Sequence, residues 1–222
     1  MLKLFNLFVN KDDYRTWMTK PFHVGKYDAA TDAYVLVGIE QDEGYDSVKA
    51  TDGNAAIETT VLMYLDQESN QSVKITVEEL KKAVEFGTKE AMLVIDGKCD
   101  ECSGEGEVEY TYEYEYSTYE TNGECPKCKG TGIVEEDSDT PSGMLTSDMT
   151  KCINIGVCYY HGHILNTLLQ AAILLQEDHV TLVAQSESTK GTKFLVGKAI
   201  VVLMPIRYNG DAEVYYLGGT QC

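Results

Sequence analysis

The sequence is poor in basic residues and has no long apolar run. Its 222 residues include 18 Lys and Arg against 36 Asp and Glu, which gives a formal net charge of −18. A protein that coats nucleic acid with its whole surface is therefore excluded, although local basic faces are compatible with this composition. No apolar stretch approaches the ~20 residues that cross a bilayer, so we expect no membrane-spanning helix.

Signatures of common catalytic sites are also missing. The chain contains no Gly-x-Ser-x-Gly, no P-loop and no His-Glu-x-x-His. We therefore expect a protein that is not an enzyme. Residues 1–9 hold a short apolar stretch broken by Asn6 and lack a small-residue cleavage site, so we interpret them as a strand and not as a signal peptide.

Acidic residues are concentrated in one segment. Residues 99–139 hold 13 acids and two bases, so most of the net charge belongs there. The remainder alternates strands with short helices, which predicts an α+β fold. We predict helices at 11–20, from the Thr76-Val-Glu-Glu79 capping box to about 86, and at 161–172. We predict strands at 34–39, 59–65 and 91–95, and a final hairpin pairing 180–185 with 194–204.

Two copies of one cysteine motif delimit the acidic segment. Residues 99–106 and 125–132 both read Cys-x-x-Cys-x-Gly-x-Gly. Two residues between cysteines let both thiolates reach one ion, and two such turns complete a closed four-thiolate site. The pattern predicts a structural Zn²⁺ ion held by Cys99, Cys102, Cys125 and Cys128, in a reducing, cytoplasmic compartment. A disulfide pair or four buried thiols are the alternatives.

The residues between the two motifs alternate with the period of a strand. Val108, Tyr110, Tyr112, Tyr114 and Tyr116 alternate with polar residues, and Thr121-Asn122-Gly123 suggests a turn. We predict a zinc-stapled β-hairpin, residues 99–135, inserted between two parts of a body, residues 1–98 and 136–222. Its tyrosines would either dock a partner or pack within the protein.

This segment resembles part of the cysteine-rich zinc domain of DnaJ-type co-chaperones, in which such motifs flank short hairpins. That family has four motifs, whereas this chain has two and lacks the His-Pro-Asp tripeptide of a J-domain. The resemblance implies a zinc fold and does not imply co-chaperone activity.

The body resembles a second family. At residues 153–169 an alternating strand leads into an amphipathic helix, and a hairpin then ends in Ala199-Ile-Val-Val-Leu-Met-Pro-Ile-Arg207. This order resembles the last domain of bacterial DNA polymerase III β sliding clamps, and Ala29-Ala-Thr-Asp-Ala-Tyr-Val-Leu36 resembles another clamp segment. The resemblance implies clamp-like antiparallel sheets and a pocket for a polymerase-like partner's peptide. That pocket would have one wall formed by Thr31, Asp32, Tyr34 and Leu36, and another formed by Met204, Pro205, Ile206 and Arg207.

Sliding clamps are acidic outside and have a basic inner wall of helices that meets double-stranded DNA. Carried over to this chain, the resemblance assigns the DNA-facing role to Lys11, Arg15, Lys20, Lys81, Lys82 and Lys89. The leading hypothesis is a non-enzymatic processivity or recruitment factor on DNA, and association of identical chains is left open. The alternative is a zinc-containing protein-interaction module that never meets DNA, in which the Glu/Tyr hairpin recruits a basic or aromatic partner.

Overall fold

The computed structural model describes residues 2–41 and 55–218, and it divides the chain into two compact units. The first unit is Met1–Lys89 with Thr146–Cys222, and the second is Glu90–Leu145. The predicted hairpin segment, 99–135, lies inside the second unit, which extends beyond it at both ends. No helix in the described residues is long and apolar enough to cross a membrane.

The described residues form four α-helices and fourteen strands, joined by turns and loops. In chain order they are α1 (Leu2–Phe5), β1 (Phe22–Val24), β2 (Tyr27–Thr31), β3 (Val35–Glu40), α2 (Ala55–Leu65), β4 (Val73–Thr76), α3 (Val77–Gly87), β5 (Thr88–Lys98), β6 (Glu107–Tyr114), β7 (Ser117–Glu124), β8 (Ile133–Ser147), β9 (Lys151–Ile155), β10 (Cys158–Tyr160), α4 (Gly162–Leu175), β11 (His179–Ala184), β12 (Thr192–Val196), β13 (Ala199–Leu203) and β14 (Glu213–Leu217).

A seven-stranded antiparallel sheet organises the first unit, in the order β1-β2-β3-β13-β12-β11-β4. A smaller sheet, β10-β9-β14, pairs β9 with β14 in parallel. The chain therefore has the predicted α+β class, with mainly antiparallel sheets and few short helices.

The large sheet is buried on both faces. On one face, Val37 and Val201 belong to a core with Leu80 of α3 and Leu165 and Leu168 of α4. On the other face, the alternate side chains Leu36 and Val202 pack with Val61 and Leu65 of α2. Successive residues of a strand point to opposite faces, so β3 and β13 each contribute to both cores.

Local signals position α3 and α4 as predicted. Thr76 is the N-cap of α3, and its hydroxyl accepts from the Glu79 amide while the Glu79 carboxylate accepts from the Thr76 amide. The helix α4 begins after His161 and ends at Gln176, whose left-handed backbone lets its amide reach the carbonyls of the last turn. The capping box and the helix at 161–172 are thus confirmed, although α4 extends further to Leu175.

Two predictions near the N-terminus are wrong. The first residues form a short helix, α1, whose Leu4 and Phe5 are buried in the larger core. Residues 11–20 contain only a 3-10 turn at Thr16–Met18. Here the side chains of Asn10 and Asp13 accept from backbone amides two residues on, which competes with a helix.

The segment 59–65, predicted as a strand, is part of α2. Its β-branched residues Thr59, Thr60 and Val61 favour a strand locally. Packing decides otherwise, because Val61 and Leu65 lie one helical turn apart and both bury against the sheet.

Two turns also differ from the predictions. The second unit's hairpin reverses at Glu115 and Tyr116, both with positive φ, while Thr121-Asn122-Gly123 lies within β7. The predicted strand at 194–204 is two strands, β12 and β13, joined at Gly197, where φ is +56°.

The capping box makes a testable contribution to stability. Replacing Thr76 with Ala removes the acceptor for the Glu79 amide and is expected to lower the free energy of unfolding by about 1 kcal/mol. The control is Thr76→Ser, which keeps the hydroxyl and should remain close to the wild type. Urea titrations measure both, and equal stabilities for the two variants would contradict the role of the cap.

Candidate metal centre and apolar cleft

Four cysteine sulfurs form one buried cluster in the second unit. The Sγ atoms of Cys99, Cys102, Cys125 and Cys128 all lie within 4.8 Å of one another. Cys99 Sγ is 3.9 Å from Cys125 Sγ, and Cys102 Sγ is 3.7 Å from Cys128 Sγ. A tetrahedral ion with metal–sulfur bonds of ~2.3 Å would space its sulfurs ~3.8 Å apart, so the four side chains fit one metal ion.

The two cysteine motifs fold as near-identical halves. The amide of Gly106 donates to Cys102 Sγ, and that of Gly132 donates to Cys128 Sγ, both at 3.2 Å. The halves also exchange backbone hydrogen bonds, since the Cys99 amide donates to the Gly132 carbonyl and the Cys125 amide donates to the Gly106 carbonyl. The same spacing therefore produces the same turn twice.

Glycine is required where the halves meet. A Cβ at Gly106 would lie 2.4 Å from the Gly130 carbonyl oxygen, and a Cβ at Gly132 would lie 2.4 Å from that of Gly104. Both residues also have positive φ. A side chain at either position would separate the turns and disperse the sulfurs.

Two thiols of the sulfur cluster differ in pKa. The Cys102 amide opposes the shift, but burial and the neighbouring sulfurs raise the pKa of Cys99 to about 11. Burial opposes the change at Cys128, but the Gly132 amide and the other sulfurs lower the pKa of that thiol to about 7. Cys128 therefore ionises readily near neutral pH, whereas a metal ion must displace the proton of Cys99. Metal affinity should therefore rise with pH.

An apolar cleft lies in the first unit, between α2 and one face of the large sheet. It encloses about 340 Å³ and is open on one side. Its lining residues are Trp17, Met18, Thr31, Ala33, Val35, Leu36, Ile57, Thr60, Val61, Tyr64, Val202 and Met204. A cavity of this size and character suits a few apolar side chains of a ligand.

The cleft includes part of the predicted pocket. The two segments predicted as its walls are neighbours, because the Met204 amide donates to the Tyr34 carbonyl at 2.8 Å. Of the eight predicted residues, Thr31, Leu36 and Met204 line the cleft. The Tyr34 side chain is exposed, and the Asp32 carboxylate accepts from the Tyr34 and Val35 amides.

The last predicted residues lie around a different depression. Ile206 and Arg207 line a shallow groove of about 300 Å³ with Tyr159, Ser188, Thr189 and Tyr208. Pro205 follows β13 and lines neither cavity. The α2 wall of the cleft was not predicted, because the sequence of residues 59–65 favours a strand.

Polar contacts fix α2 at the side of the cleft. The buried Lys193 amine donates to the carbonyls of Leu65, at 2.7 Å, and Gln67, at 2.8 Å, at the end of the helix. The Tyr27 hydroxyl donates to the Asp66 carboxylate at 2.8 Å. Both contacts join the C-terminal end of α2 to strands of the sheet.

The residues predicted to face DNA do not share one helix. Lys81 and Lys82 are exposed on α3, and Lys89 is exposed on β5. Lys11 and Lys20 are exposed in turns, and Arg15 forms an ion pair of 2.7 Å with Asp13. The expectation that Lys11, Arg15 and Lys20 lie on a first helix is wrong, because that helix is absent.

Comparisons with known proteins find similarity among solved structures. No family model matches the chain, and no curated protein matches it. Among solved structures it is similar to a Pseudomonas aeruginosa DNA polymerase sliding clamp, with 12% identity, a TM-score of 0.48, and coverage of 93% of this chain and 65% of that one.

Two further structures give similar values. Caulobacter crescentus pol III beta has 10% identity, a TM-score of 0.47 and coverage of 93% and 63%. A Helicobacter pylori beta clamp bound to a DNA ligase peptide has 12% identity, a TM-score of 0.46, and coverage of 93% of this chain and 62% of that one. This chain spans less than two thirds of the length of these clamps. At these values the comparison assigns no partner to this chain.

The sulfur cluster should determine order in the second unit alone. Replacing Cys99 and Cys125 with Ser removes one ligand from each half, so we expect metal binding to be lost and the β6–β7 hairpin to unfold while the first unit keeps its fold. Metal analysis and hydrogen exchange measure the two effects.

The control is Glu109→Ser with Asn122→Ser, a cross-strand pair of the hairpin outside the sulfur cluster. This control should keep the metal. Global unfolding of the cysteine variant would refute the interpretation of the second unit as an insertion.

Proposed function

We propose that the chain is a non-enzymatic, clamp-like recruitment factor that associates with DNA. Its first unit takes a short apolar segment of a partner protein in the cleft, and its second unit holds a structural zinc ion. The observation that carries the proposal is the cleft itself, whose sheet side forms where the two segments that resemble the clamp pocket meet.

The chemistry of the cleft suits a peptide that bears Leu or Phe. Most of the side chains around it are apolar, and Thr31, Thr60 and Tyr64 supply the few polar groups. Burial of one large apolar side chain of the peptide contributes ~1.5–3 kcal/mol.

The helix pair α3 and α4 supplies the proposed DNA-facing surface. Lys81 and Lys82 are exposed on α3, while α4 contains no Asp, Glu, Lys or Arg and has His163 near its start. Of the three glutamates on α3, Glu79 is engaged in the capping box. Contacts from a few lysines to phosphates would bind duplex DNA without reading its sequence.

Zinc is the proposed metal because the donor set is four thiolates in a closed arrangement. Soft thiolates in tetrahedral geometry select zinc over harder cations such as Mg²⁺ or Ca²⁺. When bound, the ion would join the two halves of the cluster, and it leaves no coordination position for a substrate. Its contribution is therefore to folding.

The second candidate is a zinc-containing interaction module that does not bind DNA. It is favoured by the excess of acidic residues and by five exposed tyrosines on the hairpin of the second unit, Tyr110, Tyr112, Tyr114, Tyr116 and Tyr119. Charge reversal on α3 distinguishes the two candidates, because it should abolish DNA association under the first and change nothing under the second.

A charged side chain in the cleft should weaken peptide binding. Met204→Glu places a carboxylate against an apolar lining, and we expect at least about tenfold weaker binding of a labelled peptide bearing leucine and phenylalanine. The control is Met149→Glu, the same change at an exposed methionine that does not line the cleft. Fluorescence anisotropy measures both, and equal affinities would argue against the cleft as the peptide site.

Charge reversal on α3 should abolish DNA association. Lys81→Glu with Lys82→Glu replaces attraction to phosphate by repulsion, so we expect loss of retention on circular duplex DNA. The control, Lys3→Glu with Lys198→Glu, changes the net charge by the same amount at exposed positions away from α3.

Retention on circular against linear templates, together with native mass, tests for a closed ring. A strictly monomeric protein with no dependence on template topology would contradict ring function. Unchanged retention by the Lys81 and Lys82 variant would contradict the proposed DNA surface.

A further inference from the structure

The hairpin of the second unit has two chemically different faces. Register places Tyr110 opposite Thr121, Tyr112 opposite Tyr119, and Tyr114 opposite Ser117 on one face, which carries no charge. The other face carries most of the hairpin's carboxylates, namely Glu107, Glu109, Glu113, Glu120 and Glu124. We call the surface of Tyr110, Tyr112, Tyr114 and Tyr119 the tyrosine face.

The tyrosine face is largely exposed in the part of the chain that the structure describes. Between 41% and 61% of each of its four side chains is accessible to solvent. Aromatic side chains in a row on a two-stranded ribbon normally bury against a second layer. The tyrosines contact residues of the partner strand, yet about half of each side chain remains exposed.

The rings are held in defined positions. Tyr112 and Tyr119 stack with centroids 5.3 Å apart and planes 18° from parallel. The Tyr110 ring lies over Gly123, where an added Cβ would come within 3.0 Å of it, and the Tyr110 hydroxyl donates to the Glu124 carbonyl at 2.8 Å. A ligand would meet an aromatic surface that is already ordered, which reduces the entropic cost of binding.

Charge identifies the kind of ligand. Residues 107–124 contain six glutamates and no basic residue, so the ribbon is strongly anionic and its aromatic face lies within a Debye length of those carboxylates. A cation attracted to this ribbon finds ring faces on one side. Guanidinium groups stack on such rings more effectively than ammonium groups because they are planar and more weakly hydrated.

We propose that the tyrosine face docks an extended, arginine-rich segment of a partner protein. Tyr110, Tyr112 and Tyr114 are two residues apart along β6, so their rings repeat every ~7 Å. An extended peptide with arginine at every second position has the same repeat. The rings would provide the preference for arginine, and the glutamates would provide attraction that any cationic peptide shares. This proposal goes beyond the clamp-like function and does not depend on it.

The test uses the zinc-loaded full chain and a fluorescein-labelled peptide of alternating arginine and serine. A matched peptide carries lysine in place of arginine. We expect anisotropy titrations to show about tenfold tighter binding of the arginine peptide. Equal binding of the two peptides would overturn the proposal, since it would show attraction by charge alone.

Variants assign the preference to the tyrosine face. Tyr112→Thr with Tyr119→Thr keeps the net charge and the strand propensity, and should abolish the preference for arginine. Tyr112→Phe with Tyr119→Phe keeps the rings and should preserve that preference, which also controls for folding. Retained preference in the Thr variant, or its loss in the Phe variant while metal content stays intact, would refute the proposed site.

Substitutions on the carboxylate face of the hairpin distinguish electrostatic attraction of the peptide from stacking on the tyrosine rings. Glu113→Gln with Glu120→Gln should weaken both peptides alike and reduce the salt dependence of binding. Loss of the arginine preference in this variant would contradict the division of roles. None of these variants alters the cleft or α3, so failure here leaves the tests of the clamp-like function unaffected.

Discussion

The pairing of β3 with β13 is the constraint on which the first unit depends. It joins residues 35–39 to residues 199–203, and each strand contributes alternate side chains to two separate cores. Val37 and Val201 lie with α3 and α4, whereas Leu36 and Val202 lie with α2. A shift of one residue in register would exchange the two sets, so both cores specify the same register. The sheet can therefore form with a long insertion between its strands.

The second unit combines an exposed hairpin with a cluster of four cysteine sulfurs. Its hairpin exposes the side chains of both faces, and a two-stranded ribbon of that kind is marginal in water. Two turns of identical sequence spacing bring four sulfurs together at its base, where they could hold a metal ion. In the proposed function, that ion would supply ~10 kcal/mol of folding free energy in place of hydrophobic burial. The tyrosine face could then stay exposed and available to a partner.

Sequence reasoning succeeded where the signal is local. The Thr76 capping box, the strand around Val35–Glu40 and α4 follow from patterns within a few residues, and the spacing of the cysteines alone predicts the sulfur cluster. It failed at α2, because a β-branched run was overridden by packing against a sheet whose strands lie far away in sequence. It also misplaced the hairpin turn. Asn122-Gly123 is the stronger local turn signal. However, the hydrogen bond from the Cys125 amide to the Gly106 carbonyl joins the two ends of the hairpin, so the chain reverses midway between them, at residues 115 and 116.

The difference between local signals and long-range packing also explains why only part of the cleft could be predicted. Its sheet side follows from two short segments, but its helical side exists only because α2 lies close to the sheet. Gly38 permits that approach, since a Cβ there would lie 2.6 Å from Leu65. Lys193 then holds the end of the helix, and burial lowers the pKa of its amine. Withdrawal of α2 would leave this buried amine without its carbonyl partners, which is costly. The cleft is therefore held open by the fold itself, and a ligand need not create it.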